Sequence, residues 1–331
     1  MVKRLMFALV VASLLVGGCS PNTGYVVKPI PLDEQLQETV ITADAGWFVS
    51  DKIVVIDIDG LLMNQREMGF FSAGENPVSL FIEKMDKAQS DPNVKAVVLR
   101  INSPGGGVTA SDIMYRRVMQ FRKARPATPV VAAIEDVGAS GGYYIACAAD
   151  TIYAQPTSVT GSIGVIVQTV SFAGTMTKIG ITAKAVTSGK YKDMGSPLKE
   201  LNPDDQAVIQ GIVDEFYAGF LKVVADGRKN LSAEQVAKLA DGRVYTGRQA
   251  KELGLVDTLG YVDDAVMLAK KRIGPDAKVR VVMYHRPWGQ KENYYSKASP
   301  AAPQLNLVNI NVPSLLSLTQ PQFLYLWTGG Q

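Results

Sequence analysis

The stretch Val94-Lys95-Ala96-Val97-Val98-Leu99-Arg100-Ile101, followed at once by Asn102-Ser103-Pro104-Gly105-Gly106-Gly107, decides the fold. Its first part is apolar and β-branched with little alternation, as strands read when both faces of a parallel sheet are covered. The Gly-rich turn leads into Thr109–Arg125, where Ile113, Met114, Val118 and Phe121 recur at helical spacing and Arg116, Arg117, Arg122 and Lys123 take the polar positions. The same succession repeats immediately, as strand Val130–Ile134, turn Gly138-Ala139-Ser140-Gly141-Gly142, and an apolar helix within Gly138–Ala149. Upstream, Ile53–Ile58 reads as a strand and Pro77–Gln89 as a helix with Leu80, Phe81, Met85 and Ala88 near one face. Downstream, Thr151–Tyr153, Gly164–Thr169 and Thr182–Thr187 predict short strands, and Asp204–Gly227, Ser232–Leu239 and Asp263–Arg272 predict helices. Ser232 with Gln235 three residues on is a helix-start signal. Strands alternating with helices predict βαβ units and an α/β fold with a mostly parallel sheet.

Composition narrows the function classes. The chain has 331 residues, 47% hydrophobic and 20% charged, which excludes a disordered or low-complexity protein. The net charge of +3, close to neutral once Lys3 and Arg4 are set aside with a leader, gives no electrostatic case for nucleic acid. Two cysteines cannot build a disulfide framework, and there is no CxxC or HExxH spacing for zinc. The one histidine, His285, ends the last predicted strand and reads as a surface residue, which leaves little room for histidine acid–base chemistry.

Residues 1–18 read as a signal peptide. Lys3 and Arg4 precede the apolar run Met6–Val16, which is too short to span a bilayer. Val16-Gly17-Gly18-Cys19 resembles a bacterial lipoprotein box, with cleavage before Cys19 and lipid on its thiol. Acyl chains contribute about 0.8 kcal/mol per buried methylene, so such a chain is expected to be membrane-anchored in the cell envelope, facing the periplasm or the exterior. Ser20 after the cysteine leans toward the outer membrane. Residues 19–34 form a tether with a reach on the order of 20 Å. Residues 35–285 make up the regular domain, and 286–331 a C-terminal arm. The apolar part of that arm, Leu305–Trp327, has two readings: a partly ordered arm with no role, or an arm that packs on a neighbouring subunit, since an apolar strip of this size is rarely left wet.

Glycines in the two turns let backbone N–H groups approach a ligand, and both turns enter helix N-termini. A phosphate cradle would need a Gly-Lys-Ser/Thr ending and an acidic ribose partner, and neither follows. A serine on a sharp strand-to-helix turn, Ser140, beside a second turn of N–H groups is instead suited to acyl transfer. Its base would be a lysine whose pKa falls by roughly 2–3 from about 10.4 in an apolar groove. Ser188-Gly189-Lys190-Tyr191-Lys192-Asp193 supplies two candidates, and strand periodicity does not choose between Lys190 and Lys192.

These turns, then Thr160-Gly161-Ser162-Ile163-Gly164, Ser188–Asp193, Gly242-Arg243-Val244-Tyr245-Thr246-Gly247 and Gly254-Leu255-Val256-Asp257, occur in an order that resembles the signal peptide peptidase A family in its short, single-domain form. The resemblance covers about residues 50–270. It implies the Clp protease/crotonase fold, a βαβ superhelix, and a Ser–Lys dyad with Ser140 as nucleophile and Lys192 as general base. It further implies that Ser162 orients Lys192 and that the oxyanion hole comes from the backbone of Gly106 and Gly141, with Gly107 a rival donor. No cofactor and no metal are implied. The expected substrates are apolar peptides, chiefly spent signal peptides, and the expected assembly is a ring- or bowl-shaped homo-oligomer. Tyr143, Tyr144 and Cys147 are expected to pack in the core. The alternatives are a membrane protease of the same fold acting on one membrane protein such as a stomatin-like one, a phage-type capsid maturation protease, a crotonase-like acyl-CoA enzyme needing neither Ser140 nor Lys192, and an inactive scaffold.

Overall fold

A computed structural model describes residues 35–65, 75–287 and 322–329. The expected signal peptide, the tether with Cys19, and most of the 286–331 arm lie outside the described residues. The strands are β1 (Gln37–Ala43), β2 (Lys52–Leu62), β3 (Val94–Gly107), β4 (Val130–Ala139), β5 (Thr151–Ala154), β6 (Val159–Gly161), β7 (Ile166–Val167), β8 (Val244–Thr246), β9 (Thr258–Leu259), β10 (Arg280–His285) and β11 (Phe323–Leu326). The helices are α1 (Pro77–Ser90), α2 (Val108–Ala124), α3 (Gly141–Ala146), α4 (Ala173–Lys178), α5 (Pro203–Gly227), α6 (Ala233–Leu239), α7 (Gly247–Glu252) and α8 (Val262–Ile273). Among the described residues no helix is long and apolar enough to cross a membrane.

The sheet runs β1-β10-β2-β3-β4-β5-β9, parallel from β10 to β9, with β1 antiparallel at one edge. β6 adds parallel to β4 beyond the end of β5, and β8 pairs antiparallel with β6. This is the mixed α/β, mostly parallel architecture that the resemblance implied. The central strands lack alternation because both faces are buried. Val54, Ile56, Ile58, Val97, Leu99 and Ile101 join one core with α1, α2 and α3. Ile53, Val55, Ala96, Val98, Val131 and Ala133 join a second under α8. Fully burying side chains such as Phe81 and Met85 stabilises by about 1.5–3 kcal/mol each.

The helix starts follow local chemistry. Asn76 caps α1, with its side chain accepting from the Val78 and Ser79 N–H groups, and Ser232 with Gln235 forms the expected capping box of α6. Four readings are corrected. The Gly-rich segment Asn102–Gly107 is no turn but a continuation of β3, because β2 also extends and pairs Leu61 and Leu62 with Gly105 and Gly106. Of the expected strand Gly164–Thr169, only Ile166–Val167 forms one. Thr182–Thr187 is irregular, since residues 180–192 are exposed throughout and have no neighbouring strand to bond. His285 is buried, 5% exposed, because β1 covers β10 and brings Thr39 Oγ1 to 2.6 Å from His285 Nε2.

A buried ion pair ties the end of α5 to the start of β9. The Arg228 guanidinium, 3% exposed, donates to both oxygens of Asp257 at 2.9 and 2.7 Å and to the Gly254 carbonyl at 3.0 Å. Burial raises the Asp257 pKa, but bonds from Arg228 and the Ile152 N–H outweigh it and hold the carboxyl below its usual range. Asp257→Ala leaves that guanidinium unpaired. It is expected to cost about 2–3 kcal/mol in urea unfolding, below the fully buried range because the Asp257 side chain is 38% exposed.

Candidate active site

Ser140 occupies the single residue between β4 and α3. Its backbone is at φ 52° and ψ −116°, a region that costs a non-glycine residue about 1–3 kcal/mol. Two bonds hold it there: Ser140 N–H donates to the Gly161 carbonyl at 2.8 Å, and the Ser140 carbonyl accepts from Tyr144 N–H at 2.8 Å. The β4–β6 ladder sets Gly161 opposite Ala139, so the next residues, Ser140 and Ser162, are neighbours. Ser162 is also at positive φ, 49°, with its N–H donating to the Arg243 carbonyl at 2.8 Å. Among the described residues three non-glycines have positive φ, and two are these serines, so backbone strain is concentrated here. The Ser140 side chain is buried and its Oγ has no hydrogen-bond partner.

Beside it runs the glycine end of β3. A side chain at Gly105 (φ +100°) would run into the Tyr325 carbonyl and, at 2.6 Å, the Gly141 nitrogen; one at Gly106 would strike the Leu62 backbone. Ser103 Oγ donates to the Gly60 carbonyl at 2.6 Å and accepts from Gly105 N–H at 3.1 Å, bracing this end of the strand. Asn102 Oδ1 accepts from Val137 N–H across to β4.

The groove next to these glycines is filled by the chain itself. β11 pairs antiparallel with β3, setting Leu324, Tyr325 and Leu326 opposite Gly107, Gly106 and Gly105, and its other edge pairs with β7. The Tyr325 ring is 2% exposed, stacks on Tyr144 at 5.1 Å and lies 4.7 Å from Phe220, while its hydroxyl donates to the Phe216 carbonyl at 2.8 Å. Its carbonyl lies against Gly105 and Gly141. The structure therefore gathers Gly106, Gly107, Ser140, Gly141 and Ser162 in one place. The sequence reading missed β11 and its aromatic pocket, although Leu305–Trp327 carried the signal as an apolar run in a polar arm.

Lys192 is not joined to this group within the chain. It is exposed on the turn Gly189–Met194, with its N–H donating to the Gly189 carbonyl at 3.1 Å. Lys190 is exposed too, but it pairs with Asp204 at 2.6 Å, and that carboxylate holds its ammonium above the ordinary lysine range. A base must be neutral, so the pairing disfavours Lys190 for that role. Tyr143 and Tyr144 are buried, with the Tyr143 hydroxyl donating to the Leu255 carbonyl at 2.7 Å. Cys147 is core, its thiol pushed up to about 12 by burial.

Comparison with known proteins identifies the family of the chain. Residues 122–275, which include Ser140, Ser162 and Lys192, match the model of peptidase family S49. A candidate signal peptide peptidase SppA of Enterococcus faecium is 39% identical over 220 residues, 66% of this chain and 63% of the relative. A candidate protease of Synechocystis is 40% identical over 190 residues, 57% of this chain and 67% of the relative. Protease 4 of Salmonella typhi is 38% identical over 217 residues, 66% of this chain but 34% of the relative. The chain thus spans less than two thirds of the Enterococcus faecium relative and about a third of the Salmonella typhi one. The chain belongs to peptidase family S49.

Proposed function

We propose that the chain is a serine endopeptidase that hydrolyses extended apolar peptides, with Ser140 as nucleophile and Lys192 as general base. One observation carries this reading: a strained, buried serine hydroxyl without a partner stands beside a groove that holds an extended peptide segment. Family membership and the relatives named as proteases support it. Neutral Lys192 takes the Ser140 proton as Oγ attacks the peptide carbonyl. Backbone N–H groups of Gly106 or Gly107 and of Gly141 receive the oxyanion. The lysine then protonates the leaving amine; water, giving a proton to the now neutral Lys192, attacks the acyl-enzyme, and Lys192 returns that proton to Ser140 Oγ as the acid leaves. β11 indicates how substrate binds, as a strand between β3 and β7 with an aromatic side chain on Tyr144 and Phe220. Spent signal peptides are apolar and extended enough to suit this groove.

Because Lys192 is exposed and unjoined to Ser140 in its own chain, Lys192 of the partner subunit completes the dyad in a homo-oligomer. Phe172, Ile179, Ile181, Val186 and Leu198, on the segment that carries Lys192, are exposed large apolar side chains of the kind that a second copy covers. The lipid on Cys19 tethers this assembly to the cell envelope.

Ser140→Ala and Lys192→Ala are each expected to abolish cleavage of an apolar signal-peptide fragment followed by mass spectrometry, while Lys190→Ala retains it. Co-refolding the two dead variants together is expected to recover activity, because mixed assemblies contain intact sites; recovery of none would place both residues in one chain. The rate is expected to climb with pH, since the neutral amine is the active form of the base. A chain ending at residue 321 lacks β11, and its KM for an added peptide is expected to fall on the order of tenfold, because a tethered competitor is gone.

A further inference from the structure

The carboxylates on and beside the Lys192 turn are held by two other lysines, Lys190 and Lys199. Asp193, the neighbour of Lys192 in the chain, pairs with Lys199 at 2.7 Å, and Asp204 in the first turn of α5 pairs with Lys190 at 2.6 Å. Lys199 Nζ also reaches Asp205 Oδ2 at 2.7 Å. Asp205 is fixed in place: it is 1% exposed, its N–H donates to the capping Asn202 side chain at 2.8 Å, and its Oδ2 accepts from Asn202 Nδ2 at 3.0 Å. Lys199 is thus the bolt between a buried carboxylate on a long helix and the residue directly after Lys192. The stretch from 180 to 192 is exposed throughout and is tied to α5 by the exposed Lys190–Asp204 pair, so the less exposed anchorage of the Lys192 turn comes from its C-terminal side. There the bonds Ser196 N–H to the Asp193 carbonyl and Phe172 N–H to the Pro197 carbonyl complete the brace.

We propose that Lys199 is a positioning residue for the Ser140–Lys192 chemistry: by binding Asp193 and Asp205 together, it fixes the turn that carries Lys192 and keeps the adjacent carboxylate away from the Lys192 amine. The inference rests on the peptidase reading above. Two effects are combined. A turn clamped to α5 presents its lysine in one orientation, and misplacing a catalytic group by an ångström costs about a hundredfold. A free Asp193, one residue away, would stabilise the ammonium form and raise the pH at which a neutral base exists. The charged and titratable groups around the turn are Lys190, Tyr191 and Asp193 on it, Lys199 and Glu200 after it, and Asp204 and Asp205 on α5. The two lysine pairings leave none of the three aspartates without a cation. Lys199 holds Asp193 below the usual carboxylate range, so the pair stays ionised wherever the enzyme is active.

The test uses the full chain as wild type, Lys199→Met, Lys199→Arg and the double variant Lys199→Met with Asp193→Asn. Peptide cleavage is measured from pH 6 to pH 10, with rates taken per reactive serine titrated by a fluorophosphonate, so that loss of folded protein does not count. Lys199→Met is expected to lower kcat about tenfold or more with KM within about twofold, and to move the pH midpoint up by about one unit. Lys199→Arg is expected to restore most of both. The double variant is expected to bring the midpoint back while kcat stays low, since the charge is removed but not the slack. An unchanged kcat and midpoint in Lys199→Met overturns the proposal, and so does a lower kcat with no shift in midpoint, the mark of a merely structural lysine. A wild type with no Ser140-dependent cleavage overturns the peptidase reading and the catalytic part with it. Hydrogen exchange of residues 188–201 reads the clamp independently of activity, and equal protection in wild type and Lys199→Met would remove the clamp itself.

Discussion

The bond from Ser140 N–H to the Gly161 carbonyl, 2.8 Å, is the constraint on which the rest of the site depends. It joins the ends of β4 and β6 at the point where the chain must turn from strand to helix within one residue. A serine held at φ 52° has the direction of its Cα–Cβ bond set by the turn itself. The strain persists because the surroundings over-determine it. Ala139 and Gly141 to Cys147 are all buried, so the segment cannot relax outward without exposing apolar surface.

The same economy governs the glycine end of β3. A strand that carries Cβ atoms could not approach both Leu62 and the start of α3, and the two glycines Gly105 and Gly106 remove that obstacle. What results is a ribbon of backbone on which the chain's own β11 lies through main-chain pairing, with Tyr325 seated against Tyr144 and Phe220.

Much of this could be read from the residues. Val94–Ile101 and Val130–Ile134 are strands because apolar β-branched runs of that length suit a sheet covered on both sides, and Ser140 stands out because glycines flank it at a strand-to-helix junction. What escaped was set by distant partners. Nothing local to Asn102–Gly107 says that β2 will run on to meet it, and nothing local to Phe323–Leu326 says that it returns to a strand more than two hundred residues earlier. Thr182–Thr187 has strand composition, but propensity alone forms no strand without a neighbour to bond. His285 looked peripheral because β1, drawn from the other end of the domain, had not been read as the strand that covers it.

β11 has a consequence for solubility. The open side of Gly105–Gly107 is a sheet margin of backbone amides and carbonyls with no side chains of its own to guard it. Such a margin is a template on which strands of unrelated molecules can polymerise. By lying along it, Phe323–Leu326 acts as a selvedge that stops the weave from growing, so the glycine end of the sheet is kept from knitting molecules into aggregates.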